Sequence, residues 1–133
     1  MHHVMTNVTI YAHAATLGST SRSCCLLITD DRTRMEQNRV PGADANRTIL
    51  QAAIHVLQSL SKKHPVEFFS VSGYLLQGMT CRLQGWKQRG WRTRSGKLLR
   101  NYDLWMQLDQ LTQEHSVSWL YPRSHYEQRK WTR

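Results

Sequence analysis

Between Glu67 and Asp103 the chain has no acidic residue, and that interval holds Arg82, Lys87, Arg89, Arg92, Arg94, Lys97 and Arg100. Trp86 and Trp91 are interleaved with these cations. Guanidinium and ammonium groups neutralise phosphates, and exposed indoles stack on bases, so the pattern is that of a nucleic-acid contact. A solvated basic face is the plainer reading. The density of cations without a matching acid favours the polyanion. For Trp91, stacking on a base and packing on the protein are evenly matched.

The rest of the composition agrees. The chain carries 18 Lys and Arg against 9 Asp and Glu, a formal charge of +9, with a pI near 10.0. Such a balance implies a polyanionic partner or a place among other subunits. The cysteines are Cys24, Cys25 and Cys81. An odd count with an adjacent pair argues against a disulfide framework, and no Cys-x-x-Cys or Cys/His spacing suggests zinc. A reducing, intracellular, cytoplasmic setting is therefore expected. No stretch has the length of a membrane span, so no membrane partner is expected. Met1-His2-His3-Val4-Met5 has no apolar signal core.

The elements that must position the cations can be read from periodicity. Val8–Ala12 alternates as a strand, Cys24–Thr29 is an apolar run ending at a turn of Asp30-Asp31, and Thr33–Val40 reads as a polar third strand. Asn46–Ser61 places Leu50, Ala53, Ile54, Leu57 and Leu60 on one helical face. Lys62-Lys63-His64-Pro65 ends it with cations and a proline. Val66–Val71 reads as a buried strand, Ser72–Leu83 and Asn101–His115 as helices, and Val117–Tyr121 as a last strand. The predicted order is β-β-β-α-β-α-α-β, with a crossover helix that implies a partly parallel sheet. At 133 residues a single domain over 1–133 is expected, its basic tail 126–133 at best partly ordered.

Particular segments resemble the type 1 ribonuclease H family. Trp86-Lys87-Gln88-Arg89-Gly90-Trp91, with Asn101-Tyr102-Asp103-Leu104-Trp105, is similar to that family's basic handle. Gln77-Gly78-Met79-Thr80 is similar to the "QGIT" that precedes it. The resemblance covers nearly the whole chain. It implies an α/β fold, a mixed five-stranded sheet flanked by helices, and in the family a magnesium-dependent cut in the RNA strand of RNA–DNA hybrids. It also implies core packing for Trp86 and Trp105. Cys24 and Cys25, in an apolar strand, are expected to be small core residues.

The family's metal-binding carboxylates have no acidic counterpart at the matching positions. Its "IYTDGA" is here Ile10-Tyr11-Ala12-His13-Ala14-Ala15, its "NRMEL" is Asn46-Arg47-Thr48-Ile49-Leu50, and its "SDSQYV" is Ser70-Val71-Ser72-Gly73-Tyr74-Leu75. The last Asp would fall in Glu127–Arg133, where none occurs. Two magnesium ions about 3.5–4 Å apart need carboxylates, and His13, Ile49 and Val71 offer none. His125 matches the family's loop histidine and is expected to be a surface residue without a catalytic role. A zinc site built on His13 and His125 would lack two of its four ligands. No metal and no cofactor are expected. Asp44 stands where the family has a phosphate-binding Thr, and its charge would repel phosphate; Asn46 is left to contact a base edge or sugar. The loop Leu17–Ser23 has one glycine where the family has several, which limits close backbone approach to a nucleic acid.

The expectation is therefore a catalytically inactive domain. It grips RNA, single-stranded DNA or a hybrid through Asn46, Trp91 and the seven cations, as part of a larger nucleoprotein complex with protein partners. The alternatives are a protein–protein interaction module and an active nuclease with a rebuilt site.

Overall fold

The computed structural model describes residues 7–42, 44–61 and 63–123. Among them the chain forms β1 (Val8–Leu17), β2 (Thr20–Ile28), β3 (Thr33–Pro41), α1 (Ala45–Gln58) and β4 (Pro65–Ser70). It continues with α2 (Gly73–Gln77), a π-helical turn (Gly78–Arg82), α3 (Leu83–Gln88), α4 (Tyr102–Glu114) and β5 (Ser116–Leu120). The tail 126–133, His125, and the N-terminal His2 and His3 lie outside the described residues.

The five strands make one sheet in the order β3-β2-β1-β4-β5. β1, β2 and β3 form the expected antiparallel meander, and β4 and β5 run parallel to β1. The mixed five-stranded sheet with flanking helices is the fold read from the sequence. β1 runs five residues past the predicted Ala12 and turns tightly into β2, with Leu17 opposite Thr20. Gly18 at φ +60 supplies the positive dihedral that a two-residue hairpin needs at its first central position.

α1 forms because Leu50, Ala53, Ile54 and Leu57 recur on one face. That face, with Ile49 and Val56, is buried against Ile10, Ala12, Phe68 and Leu108 of the core. Each fully buried aliphatic side chain here contributes about 1.5–3 kcal/mol relative to exposure. α4 adds Leu104, Trp105, Leu108 and Leu111, so the core lies between the sheet and the α1/α4 layer. Trp105 is fully buried, and Trp86 is half-buried against it at a ring-centroid distance of 4.9 Å. Cys25 is buried in the core, whereas Cys24 is only half-buried.

The second predicted helix is longer and less regular than periodicity suggested. It runs from Gly73 to Gln88 with a π-helical turn in the middle. Gly78 opens that turn in contact with the Trp105 indole, and a Cβ at this position would collide with the ring. The bulge carries the chain past the indole and on into the basic stretch.

Candidate nucleic-acid interface and adjoining cleft

The middle of β1, the end of β4 and the starts of α1 and α2 converge on a cleft of about 230 Å³. His13 and Ala14 reach it from β1, Ala45, Asn46 and Ile49 from the first turns of α1, and Val71, Ser72, Gly73 and Tyr74 from the end of β4 and the start of α2. The position follows from topology. β1 and β4 are parallel neighbours, so their C-terminal ends open on the same side, where open α/β sheets place their ligands. His13, Asn46, Ile49 and Val71 lie up to 58 positions apart in sequence, and all four meet here.

Hydrogen bonds hold the walls. The Ser72 backbone N–H donates to Ser70 Oγ at 3.1 Å, and the Leu75 N–H donates to Ser72 Oγ at 3.1 Å, which caps α2. Asn101 Nδ2 donates to the Tyr74 hydroxyl at 3.0 Å, and Arg47 Nη1 donates to Asn101 Oδ1 at 2.9 Å. Arg47 also pairs with Asp103 through Nη2 at 3.1 Å. That guanidinium holds the Asp103 carboxyl below its ordinary range, and the carboxylate holds Arg47 above its own. Asn101 precedes α4 at φ +62, a left-handed conformation that Asn tolerates better than most residues. Burial lowers the His13 imidazole below its ordinary value.

Magnesium takes oxygen ligands in octahedral geometry, commonly with one or two carboxylates. The cleft offers the His13 imidazole, the Asn46 amide, and two hydroxyls that already serve as hydrogen-bond partners, and none of its lining residues is Asp or Glu. Among the described residues no cluster of three or more His, Cys, Asp or Glu is placed to hold a metal. The described lining does not fit magnesium.

The basic stretch is built differently. After α3, Gly90 at φ +66 and Trp91 at φ +64 turn the chain back. A bulky aromatic residue rarely adopts such a dihedral, and it persists only where surrounding contacts enforce it. The Trp91 N–H donates to the Trp86 carbonyl at 2.7 Å, the Leu99 N–H donates to the Trp91 carbonyl at 2.9 Å, and the ring packs on the core. Arg92 and Leu98 then pair as an isolated antiparallel bridge. The tip between them is closed by the Thr93 N–H donating to the Lys97 carbonyl at 2.8 Å. Arg82, Arg89, Arg92, Arg94, Lys97 and Arg100 are exposed, and Lys87 is half-buried.

The seven cations are not equivalent. Lys87 Nζ is 3.2 Å from Asp109 Oδ2, and Arg100 Nη2 is 2.9 Å from Asp44 Oδ2. Arg89 Nε donates to the Arg92 carbonyl, and Arg92 Nη1 donates to the Gly96 carbonyl. Among the described residues, Arg82, Arg94 and Lys97 make no ion pair. Asp44, expected only as a repulsive charge, is the N-cap of α1: the Arg47 N–H donates to its Oδ1 at 3.0 Å. This bond first, and then Arg100, hold the Asp44 carboxyl below its ordinary range. Sequence reasoning had no signal for Asp109, Asn101 or Tyr74, whose partners lie far away along the chain.

The ribonuclease H family model matches residues 5–130. The ribonuclease H of Cupriavidus necator is 34% identical over 123 residues, spanning 91% of this chain and 85% of that protein. The ribonuclease H of Nitrosococcus oceani is 42% identical over 80 residues, 60% of this chain; the match spans about half of that relative, 54%. Two solved structures share the fold. LC9-RNase H1, described as a type 1 RNase H with the type 2 active-site motif, has a TM-score of 0.79 and 23% identity over 98% of this chain and 72% of its own. LC11-RNase H1 in complex with RNA/DNA hybrid has a TM-score of 0.63 and 13% identity, over 92% of this chain and 89% of its own.

These names correct the expectation of a catalytically inactive domain. Relatives matched over most of the chain are called by the name of an enzyme, and they point to a nuclease. A few non-acidic positions do not decide the activity of the whole molecule. The last of those positions and His125 lie in 124–133, outside the described residues. Motif alignment, sheet order and the extent of the family match agree, and the chain belongs to the type 1 ribonuclease H family.

Proposed function

We propose that this chain takes RNA–DNA hybrid as its ligand, gripping one backbone with the exposed cations of the Arg82–Arg100 stretch beside the His13–Val71 cleft. The supporting observation is the set Arg82, Arg94 and Lys97, which among the described residues carries no internal counter-charge. A related fold is described in complex with RNA/DNA hybrid, and the relatives' name makes hydrolysis of the RNA strand the activity to assay. In this reading Asn46, exposed at the cleft rim, faces a sugar or base edge. Trp91 shapes the turn that presents the cations, with part of its ring still open to solvent.

The test has two arms. A labelled hybrid is titrated at several salt concentrations, and the three-site variant Arg82→Ala, Arg94→Ala, Lys97→Ala is compared. Removal of one phosphate-bound cation should flatten the log–log salt slope by roughly 0.7–0.9, uniformly across sequences because phosphate contacts do not read bases. In parallel, end-labelled hybrid, duplex DNA and single-stranded RNA are incubated with magnesium or manganese. Fragments from the hybrid's RNA strand alone are the family's reaction. An unaltered slope in the three-site variant, with its circular dichroism intact, removes this surface as the grip.

A further inference from the structure

One of the internally matched cations, Arg100, is held at the edge of the cleft. Asp44 uses its two oxygens separately: Oδ1 accepts from the Arg47 N–H at 3.0 Å and caps α1, while Oδ2 accepts from Arg100 Nη2 at 2.9 Å. Only the first contact serves the helix, and an Asn caps a helix about as well as an Asp. The negative charge therefore has a different consequence. It stands two residues from Asn46 on the cleft rim, and it occupies the guanidinium of a side chain that is 80% exposed. Neighbouring Arg47 gives its guanidinium hydrogen bonds to Asp103 and Asn101, so Arg100 is the cation that pairs directly with Asp44. Exposed ion pairs stabilise a fold little, so a phosphate diester can displace Asp44 from Arg100 without disturbing α1.

We propose that Asp44 is an internal competitor of the nucleic-acid backbone: it holds Arg100 in the free protein and lowers affinity for hybrid by withholding that cation. The proposal rests on the hybrid-binding reading and adds a residue that tunes it. In Asp44→Asn the amide oxygen keeps the cap, but the amide nitrogen, a donor, cannot accept from Arg100. Arg100 is then released toward phosphate.

The experiment is a salt-dependent titration of labelled hybrid against wild type, Asp44→Asn, Asp44→Ser, Arg100→Ala, and Asp44→Asn combined with Arg100→Ala. One additional counterion released at about 0.1 M salt is worth roughly 5- to 10-fold in affinity and makes the slope steeper by roughly 0.7–0.9. Asp44→Asn and Asp44→Ser are expected to bind tighter by that factor, with unchanged helix content. Arg100→Ala should bind no tighter than wild type, since it bares the Asp44 charge, and the combined variant should show no tightening over wild type. Wild-type affinity and slope in Asp44→Asn would overturn the proposal. So would tightening that survives in the combined variant, since Arg100 would not be the cation released. A wild-type protein that binds no hybrid would instead overturn the hybrid reading, and this proposal with it. The two failures are thus separated by the wild-type curve alone.

Discussion

The cleft and the basic stretch adjoin each other and are built on opposite terms. Cleft side chains take their positions from packed elements. Ile49 is 1% exposed and Ser70 fully buried, and His13 lies within β1, paired with Cys24 of β2 one residue beyond the last β1–β4 pair, Ala12 with Ser70. The basic stretch is anchored on the core by Leu83, Trp86, Trp91 and Leu99, while all of its cations but Lys87 are exposed. Backbone hydrogen bonds around two successive left-handed residues hold its turn. Substitutions in the cleft should therefore read out first as stability. Those in the basic stretch should read out as affinity and salt dependence. Gly78, in the π-helical turn, joins the two regimes.

The largest effect expected is Ile49→Ala. It empties a fully packed position between α1 and the sheet and should lower stability by about 2–5 kcal/mol, read by urea or thermal unfolding. A loss below about 1 kcal/mol would mean that Ile49 belongs to the open cleft more than to the core. Gly78→Ala comes next. It forces a methyl group into the Trp105 indole, and overpacking of this kind typically costs about 1–3 kcal/mol. Because the same turn feeds α3, hybrid affinity should fall along with Tm. A fall in Tm with affinity intact would show the two regions to be mechanically independent.

Lys87 and Arg94 provide the sharpest single-residue contrast. Arg94→Ala should flatten the salt slope by roughly 0.7–0.9 with Tm unchanged. Lys87→Ala should lower Tm, because it strands Asp109, only 15% exposed, and should leave the slope nearly unchanged. Equal slopes in the two variants would erase the distinction between internally matched and free cations.

A pH titration tests the cleft from another side. The His13 pKa is lower in the folded protein because burial disfavours the imidazolium. Between that value and about 6.5 the unfolded chain binds the proton more readily. Stability should fall as pH drops from about 6.5 toward the folded value, and His13→Gln should remove that component of the slope. A wild-type profile in His13→Gln would show that His13 is not desolvated. The smallest effect is chemical. Burial first, and then the neighbouring Cys24 thiol and Glu36, push the Cys25 thiol up to about 12, whereas Cys81 is exposed. At about pH 8, near the ordinary thiol range, iodoacetamide should label Cys81 well before Cys25, and mass spectrometry of tryptic peptides would decide it.

Local pattern was enough wherever one element carried its own signal. Leu50, Ala53, Ile54 and Leu57 announce α1 because apolar spacing near 3.6 has no other economical use. The acid-free run from Glu67 to Asp103 announces the basic surface because charge is a property of composition. The motif frame singled out His13, Ile49 and Val71 as the positions of the family's carboxylates and Asn46 as a nucleic-acid contact, and the fold places all four around one cleft. The far half of β1 was not legible, since Ala14, Ala15 and Thr16 lack a clear alternation and become strand only by pairing with Ser23, Arg22 and Ser21.

The sequence by itself therefore determined the order of elements, the family and the basic charge of the Arg82–Arg100 stretch, all of which rest on short-range periodicity, motif spacing and composition. Tertiary structure decided which cations are free. Asp44 and Arg100 lie 56 positions apart, as do Arg47 and Asp103, and Lys87 and Asp109 are 22 apart. It also decided that residue 78 must be glycine, through an indole contributed by residue 105. Pairing between distant residues depends on where the packed core places their helices, and no local pattern of residues encodes that distance.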